Sequence, residues 1–500
     1  MQKFLALLLL PVALLAGPAA PDPAAGRPAE MLQASLRFTD GLWDESAGLL
    51  WSPQSGAADP ARRHVVRESA WYALGLLQRD GPGDAARAAR VLDRVIGHQF
   101  DTPGRPWDGT FRRSPEEPVP GPGAELWRHY DPNWRHFIGS TFALVLEHFA
   151  DRLPAGLAAR LEDSIRRAVE GELTQGRAEP YHTNIKLMHG FLWSWAGARL
   201  GKPEWVAGGE RWAEEVAAAF AVHETFEEYN SPTYYGVDLY GLALMRRHGA
   251  TEKIRTLGAQ LEAGLWRDVA RFYHAGLKNM AGPYDRAYGM DLRRYVSLTG
   301  VWMGLVLPAE LTPLPDPSGP MGHAHDFAFA PLYVALGARV PAEVMEHFRT
   351  FQGERLIRRP ITAVRTATAW LGPDMMTGGE ITGGTWGATP GQGQFHPATI
   401  HWRVPGGEVG WVRLYASPPS DAEAGRECLT VTAAAAGDFI FRVSVPGLAA
   451  GQLGRDRWTL AGLALLVESD AVGFALTPGD GFIDVAYRGA TRVVLRATGP

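Results

Sequence analysis

One short segment, Phe226–Leu242, concentrates side chains that could do chemistry. It reads FEEYNSPTYYGVDLYGL and contains two glutamates, one asparagine and four tyrosines. Ser231 followed by Pro232 predicts a helix start, because serine is a preferred N-cap residue and proline suits the first helical position. Helix starts expose unpaired N–H groups and partial positive charge, which together favour anions. The segment therefore predicts an anion-binding site, with Glu228 before the helix and Tyr234 in its first turn.

The composition of the whole chain narrows the class of protein. The chain has 500 residues, so more than one domain is expected, and its formal net charge is −5. This charge favours neither nucleic acid nor a membrane surface as a partner. Seventeen tryptophans and fourteen tyrosines supply rings of the kind on which sugar-binding clefts stack their ligands, although most of them are expected to fill a core. We expect a monomer.

The first residues of the chain predict export. Lys3 precedes an apolar run, Phe4–Leu15, and small residues follow it, which is the pattern of a secretory signal peptide over residues 1–25. The run is too short to span a bilayer, and no later segment is long and apolar enough to do so. Cys428 is the only cysteine, so no intramolecular disulfide is expected. The sequence predicts a secreted or periplasmic protein without a membrane span.

A repeat organises residues 26–355, where apolar residues recur every three or four positions as in helices. Prolines that precede apolar runs recur at intervals of 48 to 52 residues. Each interval has room for two helices, which predicts a repeated helical hairpin. Six or seven such hairpins would curl into an (α/α) toroid whose inner-helix starts meet at one rim. The prolines are Pro132, Pro180, Pro232, Pro283 and Pro331, of which Pro283 could instead mark an ordinary turn.

The pattern changes in residues 356–500. Segments such as ITAVRTATAW, GWVRLYA and FIFRVSV are short and rich in β-branched and aromatic residues, and Gly, Pro and Asp separate them. This pattern predicts an antiparallel β-sandwich. Helices first and strands second indicate two domains, a helical toroid with the catalytic site followed by the β-sandwich.

If the inner-helix starts converge, they bring many polar side chains into one cleft. A single buried Asn, His or Tyr is more often a cap or a core residue. The repetition of such residues at equivalent positions is harder to attribute to chance and favours a shared site. Besides Glu228 and Tyr234, the predicted set comprises Asn133, Trp134, His136, His182, Asn184, Tyr229, Asn230, Tyr284, Arg286 and Tyr288.

The chemistry that suits this set is β-elimination in a uronic-acid polysaccharide, because no motif for a nucleophilic Ser or Cys accompanies it. Donors such as Asn, His and Arg would neutralise the uronate carboxylate, which acidifies the C5 proton. A base then removes that proton and an acid protonates the leaving O4. A tyrosine near a cation can serve as either group, and Arg286 is expected to lower the pKa of Tyr288.

The motif F-x-E-Y-N-S-P-T-Y-Y, followed about fifty residues later by D-R-x-Y, resembles the toroidal polysaccharide lyases. The resemblance is most specific to family-38 lyases, which act on glucuronan-like and alginate-like uronans. It implies a helical toroid followed by a β-sandwich, with Tyr as acid and Tyr or Glu as base. Carried over, it implies roles in catalysis for Glu228, Arg286 and Tyr288, with Tyr234 as the other candidate acid. The carboxylate would be held by Asn184, His182 or Asn230.

Two other functions stay open from the sequence. A glycoside hydrolase on the same toroid needs two carboxylates at a defined separation, for which Glu228 with Asp285 or Asp131 could serve. A non-catalytic sugar-binding protein from an exported uptake system would use the aromatic rings and turn nothing over.

One further motif, GHAHDF, contains His323, His325 and Asp326. Two imidazoles and a carboxylate can bind zinc or another divalent ion. An H-x-H-D loop is common, however, and a loop cap with a solvated ion pair is the expected arrangement. No metal or cofactor is therefore expected.

Overall fold

A computed structural model describes residues 26–54, 61–175, 183–389 and 394–498. Helices occupy the first part of the chain and strands the second, so the predicted order of a helical toroid and an antiparallel β region is confirmed. The predicted signal peptide, residues 1–25, and the predicted site residue His182 lie outside the described residues.

Within these ranges the structure contains twelve α-helices. Their bounds are α1 Gly26–Asp40, α2 Val66–Arg79, α3 Asp84–Ile96, α4 Trp134–Phe149, α5 Leu157–Thr174, α6 Thr183–Leu200, α7 Pro203–His223, α8 Tyr234–His248, α9 Glu252–Phe272, α10 Leu298–Gly304, α11 Ala330–Leu336 and α12 Met345–Arg349. A 3₁₀-helix, Ala324–Phe329, leads directly into α11.

Six inner helices form a closed ring. In the order α2, α4, α6, α8, α10 and α11 each contacts the next, and α11 returns to α2. The first four are followed by long partners, α3, α5, α7 and α9, which complete four regular hairpins. The last two inner helices have seven residues each. Of the six or seven hairpins expected from the repeat, four are therefore regular among the described residues.

The burial of the inner helices follows from their sequences. In α8 every residue from Tyr235 to Met245 is buried, as expected of a helix that is apolar on nearly all sides. Outer helix α3 buries only one face, with Ala88, Val91, Leu92 and Val95. The hydrophobic core of the helical region therefore lies between the inner ring and its outer partners.

Not all of the prolines that were expected to mark helix starts lie at one. Pro132 lies two residues before α4, Pro232 lies two residues before α8, and Pro331 is in the first turn of α11. Pro180 is outside the described residues. Pro283 starts no helix: its peptide bond with Gly282 is cis, and it lies in a long loop, residues 281–297, before α10. The expectation that Pro283 precedes an inner helix is therefore wrong.

The described strands are short in the helical region and longer after it. They are β1 Trp43–Asp44, β2 Leu49–Trp51, β3 His64–Val65, β4 Tyr273–His274, β5 Asn279–Met280, β6 Arg355–Pro360, β7 Thr366–Leu371, β8 Met375–Ile381, β9 Ala398–Arg403, β10 Val409–Ala416, β11 Ser420–Gly425, β12 Cys428–Ser444, β13 Arg457–Leu460, β14 Leu463–Ser469, β15 Gly473–Gly479 and β16 Phe482–Thr498.

Strands β6–β16 form one continuous antiparallel sheet that folds over itself. Its main order is β13-β14-β16-β12-β10-β9-β8-β7-β6, with β11 on β12 and β15 on β16. The long strand β12 changes register between Thr432 and Gly437, so that its first part pairs with β11 and its last part with β10. Strand β11 lies close against β7 and β8. A Cβ at Gly379 would come 2.7 Å from the Ala422 carbonyl oxygen, so glycine permits this close approach.

The β region fixes the loop of residues 281–297 against the ring. The backbones of Tyr284 and His396 exchange two hydrogen bonds, of 3.1 and 2.8 Å. Arg365, in the β6–β7 turn, donates to Asp285 Oδ2 at 2.5 Å and to Glu380 Oε1 at 2.7 Å. All three of these charged side chains are buried. These contacts hold the loop of residues 281–297 in place beside the helix starts that it faces.

Candidate active site

A cavity of about 430 Å³ lies at the rim where the inner helices start. Its wall contains a first-turn or cap residue from each of the six inner helices, which agrees with the predicted convergence. These residues are Arg67, Asn133, Asn184, Tyr234, Leu298 and Phe329. The loop of residues 281–297 adds Arg286 and Tyr288 to the same wall.

Two tyrosines and an arginine form a hydrogen-bonded row in this wall. The hydroxyl oxygens of Tyr234 and Tyr288 are 2.5 Å apart. Arg286 Nη2 donates to the Tyr234 hydroxyl at 2.6 Å, and its guanidinium carbon lies 3.7 Å from the centre of the Tyr234 ring. Tyr288 lines the cavity and is 37% exposed as a residue, so a ligand in the cavity can contact it.

Arg286 is held in this position by partners on its other nitrogens. Its Nη1 donates to Glu228 Oε1 at 2.5 Å, and its Nε donates to Gln394 Oε1 at 2.9 Å. Glu228 Oε2 in turn accepts a hydrogen bond from Asn184 Nδ2 at 2.6 Å. The planar guanidinium has a fixed fork of donors, so these contacts together determine its orientation.

The start of α8 places Tyr234. Ser231 Oγ accepts from the Tyr234 N–H at 2.9 Å, which is the capping bond expected from the sequence. The regular helix begins at Tyr234 instead of Pro232, a difference within the usual spread of helix boundaries. The Ser231 hydroxyl also contacts the Arg286 carbonyl oxygen. Ser231 thus contacts both segments that contain the hydrogen-bonded row, the start of α8 and the loop of residues 281–297.

The protonation of the tyrosine pair differs from the expectation. Burial raises the pKa of Tyr288, and the hydrogen bond from Tyr234 and the charge of Arg286 only partly oppose this effect. Burial likewise raises the pKa of Tyr234 well above its ordinary value. The expectation that Arg286 lowers the pKa of Tyr288 is therefore wrong in its net direction, because desolvation outweighs the cation. Both phenols are protonated at neutral pH.

Glu228 does not lie where a base in contact with the substrate would have to lie. It is buried and does not line the cavity, and both carboxylate oxygens accept hydrogen bonds from Arg286 and Asn184. Burial raises its pKa, while Arg286 and Asn184 oppose that shift. The geometry makes Glu228 the group that positions Arg286 and Asn184 from behind the wall.

Three other predicted residues are structural. Tyr229 is fully buried, and its ring packs edge-on against Tyr235 and Phe272. Asn230 has a φ of 47°, and its Nδ2 donates to the carbonyl oxygens of residues 281 and 283 at 2.7 and 2.8 Å. Tyr284 is fully buried and donates to the Met280 carbonyl oxygen. These residues shape the loops, and none of them lines the cavity.

The three predicted site residues at the start of α4 differ in their distance from the cavity. Asn133 lines the cavity, and its backbone N–H donates to Asp131 Oδ1 at 2.9 Å. Trp134 is buried beside the wall, with the Arg67 guanidinium 5.0 Å from its ring centre. His136 is buried further away, with its Nε2 3.6 Å from Glu172 Oε2. Only Asn133 of the three lies in the wall.

Several residues of the wall are absent from the predicted set, and two of them, Arg67 and Trp127, carry large side chains that could contact a ligand. Arg67 lies in the first turn of α2 and donates to Glu68 Oε1 at 2.8 Å. Helix α2 has no proline at its start, so the proline repeat does not identify it, although its position in the ring is equivalent. Trp127 is 47% exposed at the cavity and has a φ of 67°. A tryptophan in this strained conformation is rare, and no sequence signal marked it.

The GHAHDF segment also reaches the cavity. His323 stacks on the Tyr288 ring at a centroid distance of 3.9 Å and an angle of 18°. His323 Nδ1 is 2.8 Å from Asp326 Oδ2, and His325 Nε2 is 3.4 Å from Asp326 Oδ1. All three side chains line the wall. The expected solvated pair is therefore a partly buried cluster next to Tyr288.

Several solved structures are similar to the chain in overall architecture. Heparinase III is 10% identical, with 94% of this chain and 85% of that chain covered and a TM-score of 0.45. Chondroitin AC lyase of Streptomyces coelicolor A3, in complex with chondroitin sulphate, is 11% identical, with 96% and 81% covered and a TM-score of 0.47. Heparan sulfate lyase HepC from Pedobacter heparinus is 12% identical, with 97% and 85% covered and a TM-score of 0.33.

The comparison with curated proteins finds no match. Among the described residues, none of the helices has the length and apolar character needed to cross a membrane. Residues 349–470 match a family described as a domain of unknown function (DUF8770). Residues 29–338 match a second family, described as a domain of unknown function (DUF8769). Because this second match covers more than half of the chain, the protein belongs to the DUF8769 family.

Proposed function

We propose that the protein is a lyase that cleaves a uronic-acid-containing polysaccharide by β-elimination. The observation that carries the proposal is the pair of tyrosine hydroxyls, 2.5 Å apart in the cavity wall, with Arg286 2.6 Å from one of them. The row combines exchangeable protons with a fixed cation and lies where a ligand can reach it. This is what an elimination needs, and neither hydrolysis nor simple binding requires it.

The reaction has a defined proton balance. A base takes the proton from C5, and the electrons of the C5–H bond form the C4–C5 double bond. The C4–O4 bond breaks, its electron pair stays on O4, and O4 accepts a proton from an acid. The substrate is cut without addition of water, and the new nonreducing end is an unsaturated uronate.

The tyrosine pair can supply both groups after it has lost a single proton. One oxygen is then a phenolate that accepts the C5 proton, and the other is a phenol that donates to O4. Arg286 faces the phenolate charge and stabilises it. After one turnover the pair again holds one proton, which its short hydrogen bond can return to the starting oxygen. Tyr288, the more exposed member, is the one we place against the leaving oxygen.

The wall also suits the carboxylate of a uronate. Arg67, Asn133 and Asn184 line the cavity, and the N-termini of α2, α4, α6 and α8 contribute partial positive charge there. Donors fixed in advance at a developing enolate each contribute about 3 kcal/mol in comparable enzymes. An acidic polysaccharide is therefore the proposed substrate, with glucuronan-like and alginate-like uronans as the first candidates. The signal-peptide pattern adds the proposal that the enzyme acts outside the cytoplasm.

The hydrolase alternative has less support. It requires two carboxyl groups that face the scissile bond. Glu228 and Asp285 are both buried and bound to arginines, Arg286 and Arg365, and neither lines the cavity. Of the three carboxylates considered from the sequence, only Asp131 lies in the wall.

The test is a panel of uronans incubated with the protein and followed by ultraviolet absorbance of the C4–C5 double bond. At least one glucuronan-like or alginate-like polymer is expected to give rising absorbance, and a neutral glucan is expected to give none. Cleavage without absorbance would replace the lyase by a hydrolase. Binding without cleavage of any polymer would leave a sugar-binding protein.

A further inference from the structure

The residues of the GHAHDF segment form a cluster with the donor set of a metal site. His323, His325 and Asp326 each offer one ligand atom, and these atoms all lie within 4.8 Å of one another. In a tetrahedral zinc site, with zinc–ligand distances near 2.0–2.2 Å, ligand atoms are about 3.4 Å apart. His325 Nε2 is 3.4 Å from Asp326 Oδ1, and His323 Nδ1 is 2.8 Å from Asp326 Oδ2. The two imidazoles thus approach different oxygens, and the side chains would have to move to bind one ion.

The backbone at the cluster is in an unusual conformation. His323 has a φ of 55°, in the left-handed region that residues other than glycine adopt rarely. This conformation begins the short helix Ala324–Phe329 and places both imidazoles on the same side as Asp326. Such strain is kept where the surrounding structure needs one particular arrangement of side chains.

Other charged groups lie in the same wall as the cluster. Arg67 is paired with Glu68 at 2.8 Å, and Asp131 also lines the cavity.

The second nitrogen of His325 has a side-chain partner. Gln54 Nε2 lies 3.0 Å from His325 Nδ1. Metal binding through His325 Nε2 would need the Gln54 amide to turn by 180°, so that its oxygen accepts a hydrogen bond from Nδ1–H. Metal-bound histidines commonly donate their other N–H in this way, which fixes the ring orientation.

We propose that His323, His325 and Asp326 bind a divalent transition metal, with zinc the best match to two imidazoles and one carboxylate. Calcium and magnesium fit less well because they prefer oxygen ligands only. Three protein ligands leave at least one coordination position, and all three residues line the cavity that also contains Tyr288. Resting on the proposed function, its exogenous ligand would be a carboxylate oxygen of the acidic sugar.

The experiment measures the metal directly and needs no substrate. The full chain, purified without a metal-affinity step and stripped with a chelator, is dialysed against Zn²⁺ or, separately, Ca²⁺, and bound metal is measured by mass spectrometry. Stoichiometric Zn²⁺ and little Ca²⁺ are expected. Asp326→Asn and His323→Gln should each weaken Zn²⁺ binding by more than about tenfold. His223→Gln, in the last turn of outer helix α7, is the matched control and should bind as the wild type does.

Two results would overturn the site. One is a wild-type protein that takes up no Zn²⁺; the other is unchanged uptake in both cluster variants with their folding intact by circular dichroism. If the variants fail to fold, the site is tested by the visible spectrum of Co²⁺ bound to the wild type. Co²⁺ held by four nitrogen and oxygen ligands gives intense absorption bands. Weak or absent bands then count against the cluster. A protein that binds Zn²⁺ but cleaves no uronan would keep this site and lose the proposed function.

Discussion

The hydroxyl oxygens of Tyr234 and Tyr288 lie 2.5 Å apart although the residues are 54 positions apart in the chain. Tyr234 begins an inner helix of the ring, whereas Tyr288 lies on a loop that the β region holds through backbone bonds at Tyr284. The hydrogen bond between them therefore depends on both parts of the molecule. It is the contact on which the proposed proton transfer depends.

Removal of either hydroxyl should stop most turnover. Tyr288→Phe and Tyr234→Phe each delete one oxygen of the pair and keep the ring, so packing should survive. Loss of an acid or base is expected to lower kcat by at least about 10²-fold, or about 2.7 kcal/mol of barrier. The KM should change little for Tyr288→Phe, because the hydroxyl acts mainly in the transition state.

Tyr229→Phe is the matched control for these two variants. Tyr229 belongs to the same segment, but it is fully buried in the core and its hydroxyl has no hydrogen-bond partner among the described residues. The kcat of the Tyr229→Phe variant is expected to equal that of the wild type. If Tyr229→Phe lost as much activity as Tyr288→Phe, the effect would be structural and the assignment of the pair would be wrong.

The orientation of Arg286 should matter as much as its charge. Arg286→Lys keeps a cation but cannot reach Tyr234, Glu228 and Gln394 at once, so a loss of about 10²–10³-fold in kcat is expected. Glu228→Gln keeps the side-chain shape and removes the charge that holds Arg286, and a smaller loss of about tenfold is expected for a positioning group.

Arg358→Lys is the control for Arg286→Lys, because Arg358 forms an exposed ion pair with Glu423 on the β sheet. It should leave kinetics unchanged. A Glu228→Gln variant that is fully inactive while Tyr288→Phe stays active would return the role of base to Glu228.

The sequence identified the helix starts better than it identified which side chains face the cavity. Proline spacing located the starts of α4, α8 and α11, since proline fixes φ and is favoured there. The start of α2 carries Arg67 but no proline, so periodic proline could not reveal it. The direction in which each side chain points was harder to predict. Tyr229 and Tyr234 are only five residues apart, but the left-handed φ of 47° at Asn230 turns the chain between them. Only Tyr234 therefore reaches the wall.

The long-range partners of the site had no local signal either. Gln394 and Arg365 come from the β region and contact Arg286 and Asp285. Such contacts depend on how two folded parts pack together, which neither helical nor strand periodicity encodes. For the same reason the sequence overestimated the effect of Arg286 on the pKa of Tyr288, because the extent of burial is a property of the packed structure.

The pH dependence follows from the tyrosine pair. Because burial raises the pKa of Tyr234 and of Tyr288, only a small fraction of the pair has lost a proton at neutral pH. The value of kcat/KM should therefore rise with pH from about 7 to beyond 9, since the ordinary tyrosine pKa is about 10. The profile is measured with a uronan that has no titrating group in that range. A flat profile there would show that the base is not a tyrosine.

Stability should depend on the buried ion cluster between the two parts of the chain. Arg365→Leu leaves the carboxyl groups of Asp285 and Glu380 buried without their cation. Removal of one partner of a buried ion pair costs about 3–5 kcal/mol, which urea unfolding would detect as a lower midpoint.

Arg358→Leu, on neighbouring strand β6, removes an exposed ion pair and should change the free energy of unfolding by about 1 kcal/mol at most. Equal effects of the two leucine variants would mean that the Arg365 cluster has no special part in joining the β region to the ring.

The central claim is tested most directly by the mass of the product formed in water labelled with heavy oxygen. An elimination adds no water, so the new nonreducing end should be lighter by one water than a hydrolytic product and should carry a C4–C5 double bond. Neither new end should gain heavy oxygen in the cleavage step, whereas hydrolysis would place it on C1 of the new reducing end. Tyr288→Phe should abolish formation of the unsaturated product. A saturated product that carries the solvent oxygen would contradict elimination and assign the cavity to a hydrolase.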